Sequence, residues 1–169
     1  MEAFQRRTYA GFGEFWEDVQ YLLSRRSKIK RAMDGELISE AFRERLMNVV
    51  TEVNDCRYCR SFHLSQASRA GVSKEELVKL TSGLVSKDTP EDEIPGLLYA
   101  QHWAEQNARP EEDRVQELKE HYPAPVVEAI HIILRMIRSG NLMGNSFDYL
   151  LYKLSFGRWG QSSMKKPEL

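Results

Sequence analysis

The run Val126-Val127-Glu128-Ala129-Ile130-His131-Ile132-Ile133-Leu134-Arg135-Met136-Ile137 decides the fold class of this 169-residue chain. Val126, Val127, Ile130, Ile133, Leu134 and Ile137 recur at intervals of three and four, the spacing that gathers side chains on one face of a helix. No stretch of the chain carries a stronger apolar stripe, and it predicts a central helix ended by Gly140. Gly144 then marks a turn, and Phe147 to Leu154 read as a last helix.

The same period recurs outward from this run. Leu97, Leu98, Ala100, Trp103 and Ala104 predict a packed helix after Pro95, broken by Arg109-Pro110 and followed by a short charged helix from Glu111 to His121. Phe42, Leu46, Val49, Val50 and Val53 form the apolar stripe of a helix from Glu36 to about Val53. Asn54-Asp55 supply its stop and a capping side chain for the next helix, which begins at Cys56 and runs to Ala70, with Gly71 as its C-terminal punctuation. Ser73-Lys74-Glu75-Glu76 fits a capping box, opening a short helix that ends near Ser82-Gly83. Thr89-Pro90 reads as a further helix start. Residues 13–32 predict one amphipathic first helix with Phe15, Trp16, Val19, Leu22 and Leu23 on its apolar face. Its end is rich in arginine and lysine, which complement the negative end of the helix dipole. Strand alternation is nearly absent. The expectation is an all-α chain, with residues 1–35 as an N-terminal helical extension, residues 36–159 as the main helical domain and residues 160–169 as a polar tail.

Composition narrows the function. Hydrophobic residues make up 41% of the chain, enough for one compact domain. The 24 basic and 25 acidic residues nearly cancel, so no overall field draws the protein to nucleic acid or to an anionic membrane. Apolar stretches are short and interrupted by charge, and the reading is a cytoplasmic protein without a membrane span. Only two cysteines are present, three positions apart, which is not the pattern of a secreted domain stapled across long loops.

Those two lie in Cys56-Arg57-Tyr58-Cys59-Arg60-Ser61-Phe62-His63. On a helix Cys56, Cys59 and His63 stand at i, i+3 and i+7 and line one edge. Two thiols so placed can cycle between dithiol and disulfide, and a base one turn beyond Cys59 can accept its proton. The helix start, with Arg57 and Arg60 beside it, favours the thiolate. A zinc site is the competing reading, but a closed one needs four ligands, and His102, His121 and His131 form no recognisable ligand pair. Two inert buried cysteines are a further alternative. The site is read as holding neither metal nor cofactor.

Glu44 enters only through a family resemblance and would otherwise read as a solvated glutamate; helix counting is compatible with a place near His63. If the chain reverses at Asn54-Asp55, Glu44 lies ten residues before the turn and His63 nine after, so at about 1.5 Å rise per residue they reach nearly the same level. Glu44 stands almost opposite the apolar stripe of its own helix, on a face with Leu37, Ala41, Met47 and Thr51. It therefore needs a second burying surface, such as a subunit contact.

The pattern Glu44, Cys56, Cys59 and His63, with Asn54 and Tyr58, resembles the alkylhydroperoxidase D branch of the carboxymuconolactone decarboxylase family. Gly71-Val72-Ser73, Leu98-Tyr99-Ala100, Asn141 and Asn145 extend the likeness over roughly residues 36 to 150. The resemblance implies an antiparallel helical bundle that assembles into trimers or hexamers and reduces a peroxide or disulfide substrate at the expense of a dithiol or protein reductant. It further implies that Cys59 attacks, that Cys56 resolves, and that His63 and Glu44 relay protons. Asp55 departs from the glycine common at its place and would raise a thiol pKa, and Tyr58 replaces a second histidine. Two other functions stay open. A lactone decarboxylase of the same family would generally lack the cysteine pair. A non-catalytic oligomeric redox sensor would use residues 13–32 as a partner surface.

Overall fold

The structure, a computed structural model, describes residues 4–81 and 86–161, and every regular element among them is helical. In order these are α1 (Phe12–Ser24), α2 (Arg26–Met33), α3 (Glu40–Asn54), α4 (Arg57–Arg69), α5 (Lys74–Thr81), a 3₁₀ turn (Glu91–Glu93), α6 (Ile94–Glu105), α7 (Glu112–His121) and α8 (Ala124–Leu154). The helix end expected near Ser82-Gly83, and most of the expected tail, lie outside the described residues. No described helix is long and apolar enough to cross a membrane.

α3 and α8 form the heart of the molecule. α3 packs along α8 and also meets α4, α5 and α6. Leu46 and Val50 of α3 and Ile130, Ile133 and Leu134 of α8 are completely enclosed, within one core that also holds Leu97, Ala100 and Trp103 of α6. Each such aliphatic side chain contributes about 1.5–3 kcal/mol relative to exposure. A second, smaller core of Ala67, Val72 and Leu77 takes Ala41 from the opposite side of α3. α3 is thus buried on both faces, and the stripe from Phe42 to Val50 is only one of them.

Several expectations about the helices are corrected. α8 runs unbroken for 31 residues, so neither Gly140 nor Gly144 ends it. An interior glycine costs only about 1 kcal/mol, which buried packing of Leu142, Asn141, Asn145 and Asp148 readily exceeds. The single helix expected over 13–32 is two, parted at Arg25, whose φ of −114° leaves the helical region. The face of α1 that turns inward is also different: Trp16 and Leu23 are exposed, and the one fully buried residue is Asp18. Asp18 is gripped by Arg135 at 2.7 Å and by Arg138, so α1 docks on α8 through buried charge rather than through its apolar stripe. Finally, α6 ends at Glu105, ahead of Arg109-Pro110, because Asn107 and Ala108 both take left-handed backbone. The capping box is half realised: Ser73 Oγ accepts from Glu76 N–H at 3.1 Å, but the Glu76 carboxylate goes to Arg45 and Thr89 in the interior.

Candidate active site

The site is built at the α3–α4 reversal. Asp55 closes α3 with φ 54° and ψ 48°, the left-handed conformation that glycine adopts most freely and that aspartate tolerates better than most residues. Its carboxylate turns to Arg60 at 3.0 Å, while Arg60 also holds Glu52 at 2.5 Å. Asp55 therefore neither caps α4 nor places an unbalanced carboxylate beside the thiols, contrary to both expectations. The capping group is Cys56 itself, whose Sγ accepts the backbone N–H of Cys59 at 3.4 Å. A sulfur occupies the position that serine, threonine or aspartate oxygen usually takes, and the positive end of α4 falls directly on it.

Both cysteines are unbridged, with their sulfurs 2.6 Å apart. Cys56 is fully enclosed and Cys59 is partly exposed. Their acidities divide accordingly. The hydrogen bond from Cys59, against the opposing effect of burial and aided by backbone N–H groups and the charge of Arg6, lowers Cys56 to about 7. That same bond, together with burial and the charge of Cys56, pushes Cys59 well above the usual thiol range, although Asn141 hydrogen-bonds it in the other direction. The more acidic of the two sulfurs is thus the buried one.

His63 follows one turn beyond Cys59. Its Nδ1 lies 2.8 Å from Glu44 Oε2 across the helical hairpin, the level that residue counting predicts. A carboxylate only accepts, so Nδ1 carries the proton and Nε2 is left as the basic nitrogen. Arg43 Nε approaches the other Glu44 oxygen at 3.3 Å. Asn48 Nδ2 donates to the Glu44 and His63 carbonyls, at 2.8 and 3.3 Å, tying the two helices together at this height. Glu44 is buried, and the surface that covers it is α4 of the same chain, not a neighbouring subunit.

The expected cations behave differently from the sequence reading. Arg57 is ion-paired with Asp148 at 2.7 Å and Arg60 with Glu52 and Asp55, so neither stands as a free charge beside the sulfurs. The arginine whose field reaches Cys56 is Arg6, in the segment before α1. Arg6 Nη1 meets the other Asp148 oxygen at 2.6 Å, and Tyr58 donates its hydroxyl to Asp148 at 2.8 Å. α8 comes close enough to seat this cluster because Gly144 has no side chain: a Cβ there would lie 3.3 Å from Cys56 Sγ and 3.4 Å from the Tyr58 ring. Asn141 bonds Thr51 at 2.9 Å and Asn145 bonds the Asn54 carbonyl at 2.7 Å, so both asparagines noted in the sequence reach the α3–α4 corner.

Arg6 and Asp148 are the participants that sequence reasoning missed. Asp148 was detectable: with Asn141 and Asn145 it forms a polar i, i+4, i+7 line along α8, visible once that helix is read as continuous. Arg6 carries no such signal, since it lies in an irregular segment. The histidines weighed as zinc ligands are occupied elsewhere. His131 bonds the Tyr99 hydroxyl at 2.8 Å, and His102 and His121 line a cleft between α6 and α7. No family model, curated protein or solved structure matches the chain.

Proposed function

We propose that the chain is a thiol-dependent peroxidase or disulfide oxidoreductase of the alkylhydroperoxidase D type, cycling Cys56 and Cys59 between dithiol and disulfide. The observation that carries this reading is the Glu44–His63 hydrogen bond of 2.8 Å, made by a histidine one helical turn along α4 from Cys59, with the two sulfurs 2.6 Å from each other. A buried carboxylate fixing one imidazole nitrogen is the arrangement a base needs to move a proton at a neighbouring thiol. An inert buried pair would need neither the carboxylate nor the fixed tautomer.

In this scheme His63 Nε2 takes the proton of Cys59, whose sulfur attacks the hydroperoxide. The S–O bond forms as the O–O bond breaks, and the leaving alkoxide takes the proton from His63. Cys59 is now a sulfenic acid. The Cys56 thiolate attacks it, forming the disulfide and releasing hydroxide, which a proton converts to water. A dithiol reductant restores both thiols and leaves as its own disulfide. Accessibility supports this division, since the partly exposed cysteine is the one placed to meet substrate and the enclosed one is the more acidic, ready for the second step. Homo-oligomer formation belongs to the same reading. Tyr58, Phe62, Met143, Phe147 and Leu150 are all exposed on α4 and α8, an apolar surface of the kind that assembly covers.

The test is consumption of an alkyl hydroperoxide with dithiothreitol as reductant. Wild type is expected to turn over, and Cys59→Ser to be inactive. Cys56→Ser should form one sulfenic acid and then stall, trapped by dimedone. Equal turnover by wild type and Cys59→Ser would sink the proposal.

A further inference from the structure

A cavity of about 190 Å³ opens where α1, α6, α7 and α8 meet, on residues that take no part in the thiol corner. Its walls are aromatic and aliphatic, formed by Tyr21 of α1, Trp103 of α6, Pro110 of the following loop and Val115 of α7. Two polar side chains of α8, His131 and Arg135, stand one turn apart on its remaining side. Among the described residues, none of those lining it is acidic.

Arg135 is held on two sides. Its guanidinium lies over the Tyr21 ring at 4.9 Å and the Trp103 ring at 5.3 Å, and Nη1 donates to Asp18 at 2.7 Å. That leaves the Nε–Nη2 edge, whose buried Nε has no hydrogen-bond partner among the described residues. A side-on guanidinium edge matches the two oxygens of a carboxylate. A buried donor without a partner calls for an explanation, and a bound acceptor supplies one.

His131 offers a second donor beside it. Its Nε2 lies 2.8 Å from the Tyr99 hydroxyl, which has no other hydrogen-bond partner among the described residues and therefore donates. Burial, reinforced by the charges of Arg135, Lys119 and Arg25, lowers the imidazole to about 4. At neutral pH the ring is thus neutral and carries its proton on Nδ1. Size sets the rest of the ligand. A cavity of about 150 Å³ accommodates a benzene ring, so this one takes a single ring with a carboxylate, not a nucleotide. A bare inorganic anion would leave the apolar walls unfilled.

We propose that this cavity is a binding site for a small single-ring carboxylate, its charged end on Arg135 and His131 and its ring against Trp103, Pro110 and Val115. The site is separate from the thiol corner and does not depend on the oxidoreductase reading.

Titration of benzoate into the isotope-labelled full-length chain, followed by the indole N–H resonance of Trp103, tests this. A saturable shift with a dissociation constant of about 1 mM or below is expected, in keeping with so few ligand atoms. Benzamide, which lacks the charge, and acetate, which lacks the ring, should each bind at least about tenfold more weakly. Arg135→Leu should weaken benzoate by a similar factor. Because that variant also frees Asp18 and can fail to fold, Val115→Trp is the second test: it fills the cavity, keeps every polar group and should abolish the shift. Absence of saturable binding overturns the inference. So does benzamide or acetate binding as well as benzoate, or benzoate binding unchanged in Val115→Trp.

Discussion

Cys56 and Cys59 are chemically identical residues made unequal by one turn of helix. Cys56 caps α4 and receives an N–H, whereas Cys59 lies inside the helix and holds its proton the more tightly of the two. The inequality has a consequence for stability. Cys56 is lowered from an ordinary 9.0 to about 7 in the folded chain, so above its unfolded value it contributes stability that is lost as pH falls through about 7. Cys59 is raised, so its retained proton works in the opposite sense once the unfolded thiols ionise. The urea midpoint of the reduced protein should therefore rise between about pH 7 and 9 and fall at higher pH. Cys56→Ser should abolish the rise, and a rise that persists in that variant would place its origin elsewhere. Cys56, Cys59 and His63 could be picked out because they stand at helical spacing after a recognisable turn, whereas Glu44 was picked out by a family resemblance and only then matched by residue counting. The unequal ionisation was not legible, since it depends on which cysteine becomes the cap.

At the scale of elements, α8 decides how closely the thiol corner is packed. Its two glycines were read as a stop and a turn because glycine weakens a helix locally. The tertiary contacts that outweigh this, such as Asn145 to the Asn54 carbonyl, join residues 91 positions apart. The two glycines also differ in purpose. A Cβ at Gly140 meets nothing within 4 Å, whereas one at Gly144 presses on Cys56 and Tyr58. Gly140→Ala is expected to stabilise the protein by about 0.5–1 kcal/mol through helix propensity alone. Gly144→Ala should bring no such gain and should slow alkylation of the thiols. Thermal midpoints of the two variants make the comparison, and an equal rise in both, with alkylation unaffected, would show that Gly144 has no close contact to protect. The split of the first helix at Arg25 was illegible for a related reason. Nothing in residues 13–32 announces that Asp18, not the aromatic stripe, would find buried partners on a helix more than a hundred residues away.

For the whole molecule, the central fact is that one small corner collects groups from the chain's beginning, middle and end. Arg6 arrives before α1, Glu44 on α3, the thiols and His63 on α4, and Asp148 on α8. The all-helical class was readable from periodicity, and the α3–α4 hairpin from residue counting. The closure of the corner by the segment around Arg6 was not, because a segment without periodicity gives no clue to where it docks. Such a corner, if it is a redox centre, must respond to oxidant as a unit. The most direct measurement adds one equivalent of alkyl hydroperoxide to the fully reduced chain and counts remaining thiols by reaction with a chromogenic disulfide, alongside the intact mass. Loss of both thiols together, in a monomeric chain lighter by two hydrogen atoms, is the expected result. Retention of both thiols, or oxidation of one with oxygen added and no disulfide formed, would contradict a Cys56–Cys59 redox cycle.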